Sequence, residues 1–150
     1  MAPESKPGPV VARLARQLEL ALDTVELSLP QYRVLSFLAE GNEAASALAD
    51  KLAVSRPSVT GVVDGLVAKG LVQRAEDPAD RRRVTHDLTP AGRQVITAAD
   101  AEVERRLSDI AGHRPDRAAA AFDGLDAWRD ALDGYRQARR AARARMRASA

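Results

Sequence analysis

The fold of this chain is decided by residues 55–74, SRPSVTGVVDGLVAKGLVQR, and residues 75–89, AEDPADRRRVTHDLT. Ser55 with Pro57 is typical of a helix N-terminus, and Gly70 is typical of a helix end. Two runs that favour β-strands follow, and the turn between them carries three consecutive arginines at positions 81–83. This order predicts a short amphipathic helix that leads into a basic β-hairpin.

The helix after Ser55 has two contrasting faces at about 100° per residue. Its apolar side, which we expect to face the core, is formed by Val59, Val62, Val63 and Leu66. Its opposite side is formed by Pro57, Gly61, Asp64 and Gly65, with Ser58 and Thr60 at the borders. Two exposed glycines cost about 1 kcal/mol each relative to alanine. A helix that lies in a groove benefits from such a flat face, whereas drift at tolerant surface positions is the alternative.

A helix followed by a basic hairpin suits the two grooves of DNA. The helix is expected to enter the major groove while the hairpin lies against the neighbouring minor groove. The helix N-terminus also favours a phosphate, because its first N–H groups are unpaired. A surface ion pair for Arg56, and a turn that only keeps the hairpin soluble, are the alternatives. The candidate DNA-binding residues are Ser55, Arg56, Pro57, Ser58, Thr60, Gly61, Arg81, Arg82 and Arg83.

A more specific motif covers the hairpin and its flank. Asp80-Arg81-Arg82 is followed by Leu88-Thr89-Pro90-Ala91-Gly92. These residues resemble the Asp-x-Arg and Leu-Thr-x-x-Gly pattern of the MarR family of winged helix-turn-helix transcription regulators, closely over residues 29–92 and loosely outside them. The resemblance implies that Arg82 enters a minor groove and that Asp80 orients Arg82 by an ion pair. It also suggests an internal role for Asp64, steadied by Arg74.

Composition excludes several classes of protein. The chain has 150 residues, which suits one domain with a single core or a core shared with a partner. Without cysteine, it has no disulfide, thiolate metal site or thiol-based redox sensor. His86 and His113 are too isolated for a metal or catalytic centre, so we expect no metal, no cofactor and no enzymatic activity. No apolar signal peptide occupies residues 1–9 and no apolar run reaches about 20 residues, so we expect a cytoplasmic protein without a membrane partner.

Hydrophobic periodicity predicts six helices around the hairpin, the first over residues 10–26. The predicted class is mainly α with a small β-hairpin wing, namely a winged helix-turn-helix core flanked by N- and C-terminal dimerisation helices. The expected divisions are a disordered N-terminus (1–9), an N-terminal dimerisation helix (10–28), a winged helix-turn-helix DNA-binding domain (29–92), C-terminal dimerisation helices (93–134) and a basic tail (135–150).

The flanking helices carry broad apolar stripes that one small winged unit cannot cover. The MarR resemblance implies that these helices join two subunits, and such a two-fold homodimer reads a pseudo-palindrome with half-sites roughly one helical turn apart. Packing of both stripes within one chain is the alternative. The candidate dimerisation residues are Val11, Leu14, Leu18, Phe122, Leu125, Trp128 and Leu132.

Positive charge is concentrated at the C-terminal end. Residues 131–150 contain six arginines and one acidic residue, Asp133, whereas the rest of the chain has 17 basic and 20 acidic residues. Three interpretations of the tail stay open: a continuation of the sixth helix, a contact with flanking DNA phosphate, or a solvated or disordered segment.

The resemblance further implies a small-molecule effector, bound between the dimerisation helices and the winged unit. The candidate residues for an aromatic or anionic effector are Arg13, Arg16, Tyr32 and Phe37, with core packing as the alternative for Phe37. We therefore expect a ligand-responsive repressor that binds double-stranded DNA as a homodimer. A winged-helix module for protein interaction without DNA binding is the alternative, which the retained Asp80–Arg82 motif disfavours.

Overall fold

The computed structural model describes residues 6–41, 43–52, 55–77 and 79–149. Its helices are α1 (Pro7–Asp23), α2 (Leu29–Ala39), α3 (Ala45–Leu52), α4 (Arg56–Ala68), α5 (Pro90–Ala111) and α6 (Ala118–Ala148). Its strands are β1 (Glu43–Ala44), β2 (Val72–Glu76) and β3 (Val84–Leu88). The chain forms two compact units, of which the first ends at Arg106 and the second begins at Leu107. The predicted class, mainly α with a small β wing, is confirmed.

The first helix begins three residues earlier than the periodicity predicts. Pro7 lies in its first turn, where a proline costs no intrahelical hydrogen bond. Residues 7–9 of the expected disordered N-terminus are therefore helical, and residues 1–5 lie outside the described part of the chain. The next helix starts with a capping box, in which Ser28 Oγ accepts the Gln31 N–H at 3.3 Å and Gln31 Oε1 accepts the Ser28 N–H at 3.1 Å.

The small sheet has the strand order β1-β3-β2. β2 and β3 form the expected antiparallel hairpin, with Val72 opposite Leu88. β1 was not predicted, and it pairs Glu43 with His86 on the other edge of β3. A strand of two residues is too short to show a period of two, so hydrophobic alternation cannot reveal it.

The core of the first unit draws on α1 to α5 and on both strands of the hairpin. α4 contributes the apolar side that the sequence predicts, and α5 contributes Ile96 and Ala99. The early turns of α5 therefore belong to the winged unit, although the sequence assigns residues 93–134 to dimerisation. An apolar stripe by itself does not tell whether its own chain or a partner covers it. The largest fully buried side chains are Leu22, Val34, Leu35, Leu38, Leu48, Val59, Val63, Leu66 and Leu88.

The last helix is long and exposed. α6 continues without interruption to Ala148, so residues 135–148 extend the sixth helix, which is the first of the three interpretations of the basic tail. None of its described residues is buried, and Trp128 on its apolar stripe is 68% exposed. Within the described ranges, no helix combines the length and the apolar character needed to cross a bilayer.

Candidate nucleic-acid interface

Two serines lie at the capped N-terminus of α4. Ser55 Oγ accepts the Ser58 N–H at 3.4 Å and lies 2.8 Å from Ser58 Oγ. Pro57 lies in the first turn, and all three residues are exposed. This helix end presents hydroxyls and the positive end of the helix dipole to solvent, which suits a phosphate oxygen. Arg56 begins α4, but its side chain lies outside the described part of the structure.

The outer face of α4 is flat around Gly61. Thr60, Gly61 and Asp64 are exposed, and a Cβ added at Gly61 would meet no atom within 4 Å. No internal contact therefore requires glycine at this position. Gly65 differs from the predicted arrangement, since it is half-buried and its added Cβ would lie 3.9 Å from Gln31 Nε2. Gly61 thus leaves room for the backbone of a nucleic acid to approach α4 closely.

Two aspartates shape the turn between β2 and β3, which we call the wing tip. Asp77 Oδ1 accepts the Ala79 N–H at 2.9 Å, and Asp80 Oδ1 accepts the Arg82 N–H at 3.0 Å. The Asp77 N–H donates to the Arg83 carbonyl at 2.9 Å and closes the same turn. Each carboxylate thus holds the backbone two residues ahead, as aspartates commonly do in turns.

The ion pair expected between Asp80 and Arg82 is not formed. The Asp80 carboxylate is turned inward to the backbone N–H of Arg82, while the Arg82 side chain is exposed and has no carboxylate partner among the described residues. Arg83 lies near Asp77, with Nε 4.0 Å from Oδ2. Asp80 therefore orients the wing tip through its backbone and leaves the Arg82 guanidinium to solvent.

A salt bridge joins the wing to α4. The Arg74 guanidinium on β2 donates to Asp64 Oδ1 on α4, and both side chains are 53% exposed. The contact that the family pattern suggests is therefore present, although it lies on the surface. Arg74 offsets the negative charge of the Asp64 carboxylate, which would otherwise repel a phosphate at the outer face of α4.

Two long side chains that the sequence analysis did not single out brace the helix-turn-helix. Arg33 Nη2 on α2 donates to the Leu52 carbonyl at the end of α3 at 2.9 Å. Lys69 Nζ, after α4, donates to the Glu26 carbonyl at 2.9 Å and to Gln31 Oε1 at 3.4 Å. Donor and backbone acceptor are 19 and 43 residues apart in these two braces, so no local sequence signal marks either of them.

The Leu-Thr-x-x-Gly motif joins α5 to the segment after α4. Thr89 donates its N–H to the Leu71 carbonyl at 3.1 Å and its hydroxyl to the Gly70 carbonyl at 2.7 Å. The Gly92 N–H in turn donates to Thr89 Oγ1 at 3.0 Å. A Cβ added at Gly92 would lie 2.0 Å from the Leu71 carbonyl oxygen, so only glycine fits there. The motif therefore serves the packing of α5 against the backbone that enters the wing.

Comparison with known proteins identifies the family. A MarR family profile matches residues 26–83, from the turn before α2 through the wing tip. A putative transcriptional regulatory protein for the hcr operon of Thauera aromatica is 33% identical over 112 residues, which cover 73% of this chain and 68% of that protein. The chain belongs to the MarR family.

Two further proteins are similar to this chain in sequence or fold. An uncharacterised HTH-type transcriptional regulator of Mycobacterium bovis is 38% identical over 90 residues, which cover 59% of this chain and 63% of that protein. The chain thus spans less than two thirds of that relative's length. The crystal structure of NadR in complex with 4-hydroxyphenylacetate has 28% identity and a TM-score of 0.70, with 91% of this chain and 98% of NadR covered.

The four residues suggested for an effector have different surroundings. Tyr32 is half-buried, and its hydroxyl donates to Asp100 Oδ1 at 2.7 Å. Burial first, and then the hydrogen bond and charge of Asp100, raise the pKa of Tyr32 to about 12. Phe37 packs against the core, which is the alternative role for this residue. Arg13 and Arg16 are exposed on α1. Tyr32 is therefore the member of this set that combines burial with an anionic neighbour.

The residues suggested for dimerisation also fall into two groups. Leu18 is half-buried and packs against the core of its own unit, because the C-terminal half of α1 faces that core. Val11, nearer the start of α1, is 63% exposed, and Leu14 is half-buried. On α6, Phe122 is half-buried, whereas exposed apolar side chains are contributed by Leu125, Trp128 and Leu132.

Proposed function

We propose that this protein is a regulator of transcription that binds double-stranded DNA sequence-specifically and acts as a homodimer. One observation carries the proposal: α4 and the wing present exposed polar and basic side chains on backbones that the Asp64–Arg74 salt bridge holds together. Membership of the MarR family, with relatives named as transcriptional regulators, supports it. The function is binding, and it requires no catalytic group.

In this proposal, α4 lies in the major groove with its capped N-terminus against a phosphate and Gly61 close to the groove wall. Arg82, at the wing tip, enters the adjacent minor groove. A guanidinium suits this narrow, electronegative groove because it is planar and less strongly hydrated than an ammonium group. Arg81 and Arg83 contact phosphates on either side.

The substitution Arg82→Ala tests the proposal. Removal of a groove-inserted guanidinium should weaken binding to a duplex selected from a random pool by about 1–3 kcal/mol. Fluorescence anisotropy titrations at fixed salt measure this change. Arg105→Ala is the matched control, since Arg105 is an exposed arginine that pairs with Glu102 on α5. Neither change should alter the melting temperature by more than about a degree or two, because both side chains are on the surface.

Two outcomes would contradict the proposal. If Arg82→Ala binds the selected duplex as tightly as Arg105→Ala and the unsubstituted protein, Arg82 does not enter a groove of the DNA. If selection enriches no sequence at all, the protein is not a sequence-specific regulator.

Exposed apolar side chains on each unit support the homodimer. Val11 is 63% exposed on α1, and Trp128 and Leu132 are 68% and 60% exposed on α6. Water-exposed side chains of this size favour burial against a partner. Sedimentation equilibrium should therefore show a dimer, and Trp128→Asp with Leu132→Asp should produce a monomer. A monomer at micromolar concentration without any substitution contradicts this part of the proposal.

We extend the proposal to a repressor that an aromatic carboxylate releases from DNA. NadR, which shares the fold at 28% identity, was crystallised with 4-hydroxyphenylacetate. In the present chain, Tyr32 provides an aromatic hydroxyl that is bonded to Asp100. The probe is 4-hydroxyphenylacetate itself, which should raise the melting temperature and lower the affinity for the selected duplex. Tyr32→Phe should reduce both responses, whereas equal responses in both proteins contradict a role for Tyr32.

A further inference from the structure

The C-terminal part of α6 carries a stripe of arginines. We call Arg136, Arg139, Arg140, Arg143 and Arg147 the arginine stripe, because at about 100° per residue they fall within an arc of about 100° on one side of the helix. Arg145 lies on the opposite side. At about 1.5 Å per residue the stripe is about 16 Å long. All its members except the half-buried Arg136 are exposed.

The arginines earlier in α6 pair with aspartates of the same helix, whereas most of the stripe lies beyond the last acidic residue. Arg129 pairs with Asp126 at 2.8 Å and with Asp130 at 3.2 Å, and Arg136 pairs with Asp133 at 2.9 Å. No Asp or Glu follows Asp133 in the sequence. The segment after Arg136 therefore has a strong excess of positive charge, which comes from Arg139, Arg140, Arg143, Arg145 and Arg147.

Arg136 pairs with Asp133, and Arg139 Cζ lies 5.8 Å from the centroid of the Tyr135 ring, so part of the stripe stabilises its own helix. The close spacing of the arginines has the opposite effect. Like charges three and four residues apart repel one another on a helix surface, as Arg139 and Arg140 do with Arg143. The helix dipole favours cations only in the last turn, where Arg145 and Arg147 lie. Solubility alone would be served by charges distributed around the helix. Concentration of cations on one side is instead what a polyanionic partner requires.

Double-stranded DNA fits the stripe better than a membrane surface does. About 16 Å of duplex axis carries about ten phosphate charges, at about one charge per 1.7 Å, which exceeds the number of arginines. Membrane-surface helices pair their basic face with bulky apolar residues. The part of α6 after Tyr135 offers mainly alanines, with Met146 as its large apolar side chain. Guanidinium groups also bind phosphate in a bidentate manner.

We propose that the arginine stripe is a second DNA-binding site, which contacts the phosphates of a duplex independently of base sequence. This inference rests on the proposed function in one respect, since it takes the duplex that the winged unit binds as the partner of α6. It adds a site to that function, in which α4 and the wing supply specificity and the stripe supplies affinity that depends strongly on salt.

The test uses the full chain, a random-sequence duplex of about 30 base pairs and salt concentrations from about 50 to 200 mM. R139Q/R140Q/R147Q removes three charges from exposed positions with little change in helix propensity. Its plot of log affinity against log salt should be less steep by about 2 to 3 for each subunit that contacts the duplex, because each phosphate that an arginine neutralises adds about 0.9 to the slope. R139K/R140K/R147K keeps the charge and should retain nearly the original slope. Circular dichroism confirms that both variants remain helical.

The outcomes separate this inference from the proposed function. An unchanged slope in R139Q/R140Q/R147Q overturns the stripe as a DNA site. If R81Q/R82Q/R83Q loses preference for the selected duplex while the stripe variant keeps the original slope, the proposed function stands and the inference fails. If only the stripe variant loses affinity, the inference stands without the winged unit. Tighter binding of the unsubstituted protein to phosphatidylserine vesicles than to the duplex overturns the choice of DNA as the partner.

Discussion

In the winged unit, several polar side chains bond residues far away in the sequence, whereas the ion pairs described on α6 join residues of that helix no more than three positions apart. Lys69 bonds the Glu26 carbonyl, 43 residues away, and the Tyr32 hydroxyl bonds Asp100, 68 residues away. On α6 the characteristic bond is the one between Arg129 and Asp126, three residues apart. The two regions thus obtain their order from different sources.

The exposed surface of the winged unit is therefore fixed by tertiary contacts, whereas the exposed surface of α6 is fixed by its own helix. In the winged unit, α4 packs against a buried core, and the wing tip is fixed by the backbone bonds of Asp77 and Asp80. On α6, helix formation follows from the many alanines and from local ion pairs, which need no tertiary partner. Most side chains on its apolar and basic sides are exposed.

The largest effect should come from the same substitution made in both regions. At Gly92, an added Cβ would lie 2.0 Å from the Leu71 carbonyl oxygen, so Gly92→Ala must displace α5 and should lower the free energy of unfolding by about 3 kcal/mol. At Gly134, within α6, an added Cβ would meet nothing within 4 Å. Gly134→Ala should therefore stabilise the helix by up to about 1 kcal/mol. Urea unfolding followed by circular dichroism measures both changes.

Changes of opposite sign in the free energy of unfolding for Gly92→Ala and Gly134→Ala would support the contrast between the regions. Equal and small effects would contradict it, because they would show that the start of α5 tolerates a side chain against the Leu71 backbone. A loss of stability for Gly134→Ala would show instead that α6 packs closely at a position where the described structure leaves open space.

The sequence predicts the elements that rest on local signals and misses those that rest on distant contacts. The Ser55 cap and the Gly70 stop give the limits of α4 because both are local features of the backbone. The two-residue β1 and the Lys69 brace have no such signal. Asp80 shows the intermediate case, since the motif marks the residue correctly but its contact with the Arg82 backbone depends on the conformation of the turn.

Gly65 and the basic tail show the same limit. The projection of α4 at about 100° per residue places Gly65 on the exposed face, whereas Gln31 from α2 lies beside it. Such a projection contains no information about neighbouring helices. Charge alone leaves residues 135–150 open between helix and disorder, whereas the alanines between the arginines favour the helix that is observed.

A smaller effect should distinguish the two tyrosines as the pH rises. Because the pKa of Tyr32 is raised to about 12, the folded state holds this proton more tightly than the unfolded state, which releases it near pH 10. The stabilisation is therefore complete below about pH 10 and is lost as the pH rises through 12. Tyr32→Phe should cost no more than about 1 kcal/mol at neutral pH, since the half-exposed site is screened by solvent.

The measurement is the difference in unfolding free energy between Tyr32→Phe and the unsubstituted chain from pH 8 to 12. This difference should shrink above pH 10, when the unsubstituted chain loses its advantage. Tyr135→Phe on α6 is the control, because Tyr135 is 63% exposed. A difference that stays constant with pH would show that the Tyr32–Asp100 bond does not couple protonation to folding.

The smallest effect concerns two exposed salt bridges, one in each region. A double-mutant cycle on Asp64 and Arg74 should give a coupling energy of about 0.2–1 kcal/mol in urea unfolding, and a cycle on Asp126 and Arg129 should give about 0.3–0.5 kcal/mol. Stability alone hardly separates them. DNA affinity should do so, because the Asp64–Arg74 bridge holds the wing against α4, whereas the α6 bridge only joins adjacent turns. Coupling in duplex binding is therefore expected for the first pair and not for the second. Equal coupling energies in duplex binding for the two pairs would mean that the sheet alone holds the wing in place. The long-range Asp64–Arg74 bridge would then matter no more for DNA binding than the local Asp126–Arg129 bridge on α6.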